Sequence, residues 1–354
     1  GDQFVERIRL HQVAAGQRRR AIPLASLLGA ARLEVATVRA IDPVARTVTT
    51  DRGVVRPDAV VNALGSRSAP AVPGGAHALT LDGEAGAAAV ARAVATGRPL
   101  AILGGGLTAL ELATELADAH RGLALALYTR GALGGDALGA AAVAHARAAL
   151  ARRGIAVFEG ASVEAIEPDA IVVDGARIAV GGAVWCAGFA ASPLAAAAGL
   201  AVDRQGRMLV TATLCVDDRG WLWGAGDAAV PAMPVGAPLH MACKTAMPMG
   251  RRAADNLAAV LTGAAPRPFA FGDSGVCVSL GRRDGVIQHR AADGRHTGVV
   301  RGRLGAWIKE SVCRFTVRAL RYPRVQAVFA LYDRRGRAVL AAAPPPRALP
   351  EPTA

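Results

Sequence analysis

Along the chain, apolar runs and polar breaks recur in a repeated order. The opening segment Phe4-Val5-Glu6-Arg7-Ile8-Arg9-Leu10-His11-Gln12 is amphipathic. Arg18-Arg19-Arg20 interrupts it, and the apolar stretch 22–28 follows, a pattern that predicts short helices. From residue 33 to 61 the texture changes to short β-branched runs at 35–38, 47–50 and 54–55, with turn signals at Asp42-Pro43 and Arg52-Gly53. A β-meander is predicted there, leading into a buried strand at 59–63.

After a connection rich in proline and glycine (Pro70, Pro73, Gly74, Gly75), residues 84–96 read as an Ala-rich helix and 99–103 as a strand. The glycine triplet 104–106 follows at once. Residues 107–119 have helical composition, 123–128 form an apolar strand, 139–153 a helix and 155–158 a strand. The connections in this β-α-β-α-β run are short enough for a parallel sheet. A second meander at 163–180 precedes a strand at 183–186, so the order of meander then strand occurs twice. Two related nucleotide-binding units are implied. A strand-loop-helix unit then passes from Trp221 through Gly224-Ala225-Gly226-Asp227 into the helical stretch 240–261. Beyond it lie short strands around 276–280 and 285–288, a basic helix at 304–321 and a Pro-rich end, 344–354, expected to be mobile.

Composition narrows the class. The chain has 354 residues, 52% hydrophobic and only 4% aromatic, enough for two or three packed domains and incompatible with overall disorder. Lysine and arginine number 41 against 28 acids, a formal charge of +13. Such a surface attracts phosphates, anionic lipid or nucleic acid, or serves solubility alone. Nucleic acid ranks lowest, because the arginines are dispersed and aromatics are too few for a stacking face. The five cysteines (186, 215, 243, 277, 313) contain no Cys-x-x-Cys pair, which argues against a disulfide framework, a zinc site or a vicinal redox dithiol. His11, His145, His240 and His289 have no ligand spacing, so no metal is assigned. Without a membrane-length apolar run or a signal segment, cytoplasmic residence is expected, with contact at a membrane surface left open.

The strongest local chemistry is Gly104-Gly105-Gly106-Leu107-Thr108-Ala109-Leu110-Glu111, a G-x-G-x-x-A turn between strand and helix. Gly104 permits the tight turn, Gly106 lets backbone N–H groups approach a pyrophosphate, and Ala109 lets helix and strand pack closely. The helix N-terminus supplies partial positive charge. At the end of the next strand, Tyr128-Thr129-Arg130 offers no acid for a ribose 2′-hydroxyl. Arg130 would instead meet a 2′-phosphate, favouring NADPH, or simply face solvent.

In order along the chain, four pieces resemble the FAD-dependent pyridine nucleotide oxidoreductases, in particular the type II NADH dehydrogenase-like branch. Residues 4–12 look like the segment after the second strand of the FAD domain. Ala63-Leu64-Gly65-Ser66 is similar to the family's A-T-G-S turn, with leucine for threonine. Residues 104–111 are similar to the inserted NAD(P)H fingerprint, and the resemblance places Glu111 by the nicotinamide as the catalytic candidate. Residues 221–229 are similar to the second FAD motif, whose aspartate, here Asp227, bonds the ribitol. The resemblance thus implies cofactor contacts from Ala63, Gly65, Ser66, Gly226 and Asp227 to FAD, and from Gly104, Gly105, Gly106, Leu107, Thr108, Ala109 and Arg130 to NAD(P)H. Gly188, in the turn after the strand at 183–186, is a further cofactor-binding candidate.

The expected fold is α/β: two related three-layer ββα/Rossmann-type domains with inserted meanders, plus a small C-terminal α+β domain. The FAD domain comprises 1–97 and 182–262, the NAD(P)H domain 98–181 and the C-terminal domain 263–335, with 336–354 as tail. The family's N-terminal strand and its own glycine turn for FAD have no counterpart before Phe4. Either the chain is a fragment, which its start at Gly1 favours, or it is a natural protein with weakened flavin binding; FAD is expected to be bound by the full product and poorly by this chain.

The implied reaction is transfer from NAD(P)H to FAD and on to a small-molecule acceptor such as a quinone. Residues 240–250 occupy the place of the helix that faces the flavin and quinone in these dehydrogenases, but carry no glutamine. Cys243 there is either a redox thiol or a buried structural one. The amphipathic stretch 304–324 either packs on its own domain or touches a membrane. A ferredoxin or rubredoxin reductase, and a nucleotide-binding protein that lost flavin chemistry, are the alternatives. No oligomeric state is assigned.

Overall fold

In the computed structural model, which describes residues 1–217 and 220–342, the N-terminal amphipathic segment forms a 3-10 turn, Arg7–Arg9, and the helix α1, Leu10–Ala14. Leu10 and Ala14 are buried. The first meander is β1 (Val38–Asp42), β2 (Thr47–Thr50) and β3 (Gly53–Val55), antiparallel in that order. Strand β1 lies C-terminal to the expected 35–38 because the pairing of Ile41 with Val48 is what buries an apolar side chain. The Asp42 carboxylate accepts the N–H groups of Val44 and Ala45 at 2.9 and 2.8 Å and closes the turn.

Strands β4 (Val60–Asn62) and β5 (Ser66–Ser68) precede helix α2 (Glu84–Ala95). The centre follows as β6 (Leu100–Leu103), α3 (Leu107–Ala119), β7 (Leu125–Thr129), α4 (Ala140–Ala151) and β8 (Ala156–Glu159). A second antiparallel meander, β9 (Val163–Ile166), β10 (Ala170–Val173) and β11 (Ala176–Ala179), returns the chain to β12 (Gly182–Trp185). The parallel sheet runs β12-β6-β7-β8. All four residues of β6 are apolar because both faces are covered: Leu100 and Ile102 join the helices' core, while Ala101 and Leu103 join that of the second meander.

Next come β13 (Phe189–Ala191), antiparallel to β5, the short helix α5 (Leu194–Ala197), β14 (Met208–Val210) and β15 (Leu222–Gly224), parallel to β4. Strand β16 (Ala229–Pro231) lies parallel to β14, and α6 (Cys243–Leu261) follows. The C-terminal part is an antiparallel sheet, β17 (Gly275–Ser279), β18 (Gly285–Arg290) and β19 (His296–Arg301), with α7 (Gly302–Arg321) and α8 (Phe329–Ala342). The architecture is the expected α/β one. Residues 336–342, expected to open the tail, continue α8. The Pro-rich end, 344–354, lies outside the described residues.

Candidate functional site

The turn between β6 and α3 shows why glycine is needed at two of its positions. Gly104 has φ +125°, and a Cβ there would lie 2.8 Å from the Cys186 carbonyl. At Gly105 a Cβ would come 2.7 Å from Thr129 Oγ1. Gly106 differs: as N-cap of α3 it has extended backbone and no neighbour within 4 Å of a Cβ. No side chain caps this helix, so its leading N–H groups, at Leu107 and Thr108, open onto that space. Ala109 is fully buried. A helix end with free donors and a cradle that a Cβ would fill fits a pyrophosphate.

The same strand edges carry the remaining candidates. Arg130 follows β7 and is exposed. Cys186, against Gly104, leads through Gly188, at φ +98°, into β13. Pairing of Ala191 with Ser66 then connects the glycine turn to the second group of residues. Parallel β4 and β15, with Asn62 opposite Gly224, release their loops at one edge. The Ser66 hydroxyl therefore reaches Asp227 Oδ2 at 2.6 Å. Gly65 and Gly226 both have positive φ, +71° and +64°. Ala63 is exposed in the loop leading to Gly65. Arg7 donates to the Ser66 carbonyl at 2.6 Å while its guanidinium lies 5.5 Å from the centre of the Phe189 ring. Hydroxyl, carboxylate and left-handed glycines at one edge fit the polyhydroxyl portion of a flavin nucleotide.

Glu111, one turn into α3, is buried and meets three other elements. Lys309 of α7 approaches its Oε1 at 2.8 Å, the Ser279 N–H of β17 donates to the same oxygen at 3.1 Å, and His11 Nδ1 of α1 lies 3.7 Å from Oε2. His11 Nε2 is 3.4 Å from Ser279 Oγ. Burial pushes the Glu111 carboxyl up, but Lys309, His11 and the Ser279 N–H outweigh it and hold the pKa below its ordinary value. Burial lowers His11 to about 4, with Lys309, Arg282 and Arg9 adding and Glu111 opposing. Lys309, despite burial, is held above its ordinary value mainly by Glu111. The result is a carboxylate–ammonium pair beside a neutral imidazole.

Helix α6 starts against the second group: a Cβ on Gly226 would lie 3.2 Å from that of Ala246. Burial raises the Cys243 thiol against the pull of Lys309, so it is protonated at neutral pH. Lys244, the next residue of α6, is engaged elsewhere. Its ammonium bonds Asp273 Oδ1 at 2.7 Å and the Gly275 carbonyl at 3.2 Å. Sequence reasoning missed Lys309, Ser279 and Arg7 and gave His11 no role. The available signal for Lys309 was an ammonium in the stripe Gly305, Lys309, Cys313, whose glycine and cysteine are buried.

The profile of the family described as Pyridine nucleotide-disulphide oxidoreductase matches residues 12–250. NADH dehydrogenase-like proteins from two strains of Mycobacterium tuberculosis are each 33% identical over 264 residues, covering 67% of this chain and 65% of theirs. The chain thus spans less than two thirds of those relatives. Among solved structures, the sulfide:quinone oxidoreductase of Aquifex aeolicus superposes with a TM-score of 0.76 at 18% identity, covering 92% of this chain and 85% of that one. A ferredoxin reductase from Rhodopseudomonas palustris gives 0.66 at 18%, covering 79% and 72%. These structures share the fold. The family profile supports FAD and NAD(P)H as the cofactors. With more than half its length matched by the one profile, the chain belongs to the pyridine nucleotide-disulphide oxidoreductase family.

Proposed function

We propose that this chain contributes to an NAD(P)H:acceptor oxidoreductase in which NAD(P)H lies along residues 104–111 and 130 and the flavin lies against Gly65, Ser66 and Asp227. When bound, the nicotinamide supplies a hydride and the flavin receives it. The chain's own work is positional. The N–H groups after Gly106 hold phosphate, Asp227 and Ser66 orient hydroxyls, and the Glu111–Lys309 pair keeps fixed charge in a water-poor interior. The carrying observation is adjacency: the chain runs from Cys186, which touches Gly104, into β13, which pairs with Ser66. Anaerobic titration of the FAD-loaded protein with NADPH and NADH tests this. Bleaching of the flavin absorbance by either supports it, and an unchanged spectrum with both overturns it.

For the onward acceptor we favour a quinone at a membrane surface. The exposed side of α7 carries Leu304 and Trp307, 57% and 68% exposed, beside arginines at 303, 314 and 318. Among the described residues no helix is long and apolar enough to cross a membrane. Flotation with anionic liposomes, lost in Trp307→Ser, is the expected result. Turnover that falls steeply with salt only when an acidic protein acceptor is supplied would favour a ferredoxin-type acceptor instead.

A further inference from the structure

We propose that the recess between α6 and α8 binds an organic anion with an apolar body of about two fused rings, an aromatic carboxylate by class, separately from the nucleotide positions. The recess has a volume of about 290 Å³. A cavity of about 150 Å³ accommodates benzene, so this one accommodates a bicyclic ring. Its floor is apolar: Phe269 and Phe329 are buried, and Pro248 lies beside them.

The rim decides the ligand's charge. Pro248, Arg251, Arg252 and Asp255 stand at helical spacing on one face of α6. Both Asp255 oxygens accept from Arg251 Nε at 2.9 Å. Asp333 accepts from Arg252 at 3.2 Å and from Arg337 at 2.9 Å. Both carboxylates in the recess are therefore engaged, whereas each guanidinium carries five donors and retains unused ones. Arg267 is the clearest case. Buried Asn256 fixes its backbone from both sides, at 2.9 and 2.8 Å, but among the described residues its guanidinium has no ion pair or hydrogen bond. Unspent donors over an aromatic floor select a carboxylate or sulfonate on a ring, rather than a neutral ring or a bare inorganic anion.

The test is calorimetric titration of the full chain with 2-naphthoate, with naphthalene-2-methanol and sodium sulfate as comparison ligands. Saturable naphthoate binding is expected, about tenfold tighter than the alcohol, with no saturation by sulfate. Arg267→Gln should weaken naphthoate about tenfold and leave the melting temperature and NADPH affinity unchanged. Ala330→Trp, which fills the recess from the exposed side of α8, should abolish binding. Four results would each overturn the proposal: no saturation in the parent chain, equal binding of the alcohol, unchanged affinity in Arg267→Gln, or displacement of naphthoate by NADPH. The Arg267→Gln and competition arms decide the matter even if the tryptophan variant fails to fold.

Discussion

Lys309 donates to Glu111 across 2.8 Å, joining the C-terminal helix α7 to the helix that carries the glycine turn. Both groups are taken out of water. Lys309→Met would leave the Glu111 carboxylate buried with one N–H donor and a neutral imidazole. Removing one partner of such a pair costs about 3–5 kcal/mol, more than replacing both with neutral groups. Urea unfolding of Lys309→Met and of the double variant with Glu111→Gln is the measurement. The single variant should be the less stable, and equal stability would refute the pairing.

Acid should weaken the fold through His11. Its folded pKa of about 4 lies below the ordinary 6.5. Between those values the unfolded chain binds more protons, so stability present above pH 6.5 is lost as pH falls towards 4. The loss is of the order of 3 kcal/mol. Glu111 on α3, Ser279 on β17, Lys309 on α7 and Arg282 beyond β17 surround the imidazole, with Arg9 on its own segment. The depressed Glu111 pKa carries the decline into more acid solution. Substituting glutamine for His11 should flatten the curve of unfolding midpoint against pH across this window. A parent chain whose midpoint is already flat there contradicts the assignment.

The glycines of the turn separate folding from binding. Gly104→Ala forces a Cβ to 2.8 Å from the Cys186 carbonyl at φ +125° and should destabilise the chain by about 1–3 kcal/mol. A Cβ on Gly106 meets nothing within 4 Å, so in Gly106→Val the fold should survive while the side chain occupies the phosphate cradle. NADPH affinity should then drop about a hundredfold, the equivalent of losing roughly two charge-assisted hydrogen bonds. Thermal melts beside fluorescence titrations of NADPH would distinguish the two effects. A Gly106→Val chain that binds normally removes the nucleotide from this turn.

Such distinctions were partly legible beforehand. Helix α3 was bounded correctly at Leu107 and Ala119 because glycines precede it and an uninterrupted run of helix formers fills it. The central strands β6, β7 and β12 were plain too, since two-sided burial leaves continuous apolar runs. Strand β19 was missed because His296-Thr297-Gly298 is exposed and lacks apolar alternation, its pairing being supplied by β18. Helix α8 hid behind Arg334-Arg335-Gly336-Arg337, where Gly336 is needed for close packing: its Cβ would lie 2.2 Å from the Phe271 nitrogen. The cluster at Glu111 was invisible for a different reason. Its partners come from α1, β17 and α7, and no local pattern records a meeting of distant segments.

Cofactor choice should turn on Arg130. The residue follows Thr129, whose hydroxyl adjoins Gly105, so it stands at the edge of the same cradle. The neighbouring loop is braced by the Leu133 N–H donating to Glu159 at 2.7 Å and by the Gly134 N–H donating to the Gly105 carbonyl at 2.7 Å. Arg130 itself is exposed and has no ion pair or hydrogen bond among the described residues, so a 2′-phosphate would not compete with an internal acid. Arg130→Glu replaces attraction with repulsion at that point and should raise the NADPH dissociation constant by more than about tenfold, the worth of one charge-assisted contact. NADH, lacking the phosphate, should change by about twofold or less, as for an ordinary surface substitution. Because the contact is exposed, the NADPH penalty should shrink as salt rises. If both nucleotides weaken equally, the arginine acts on the turn as a whole, and discrimination resides elsewhere.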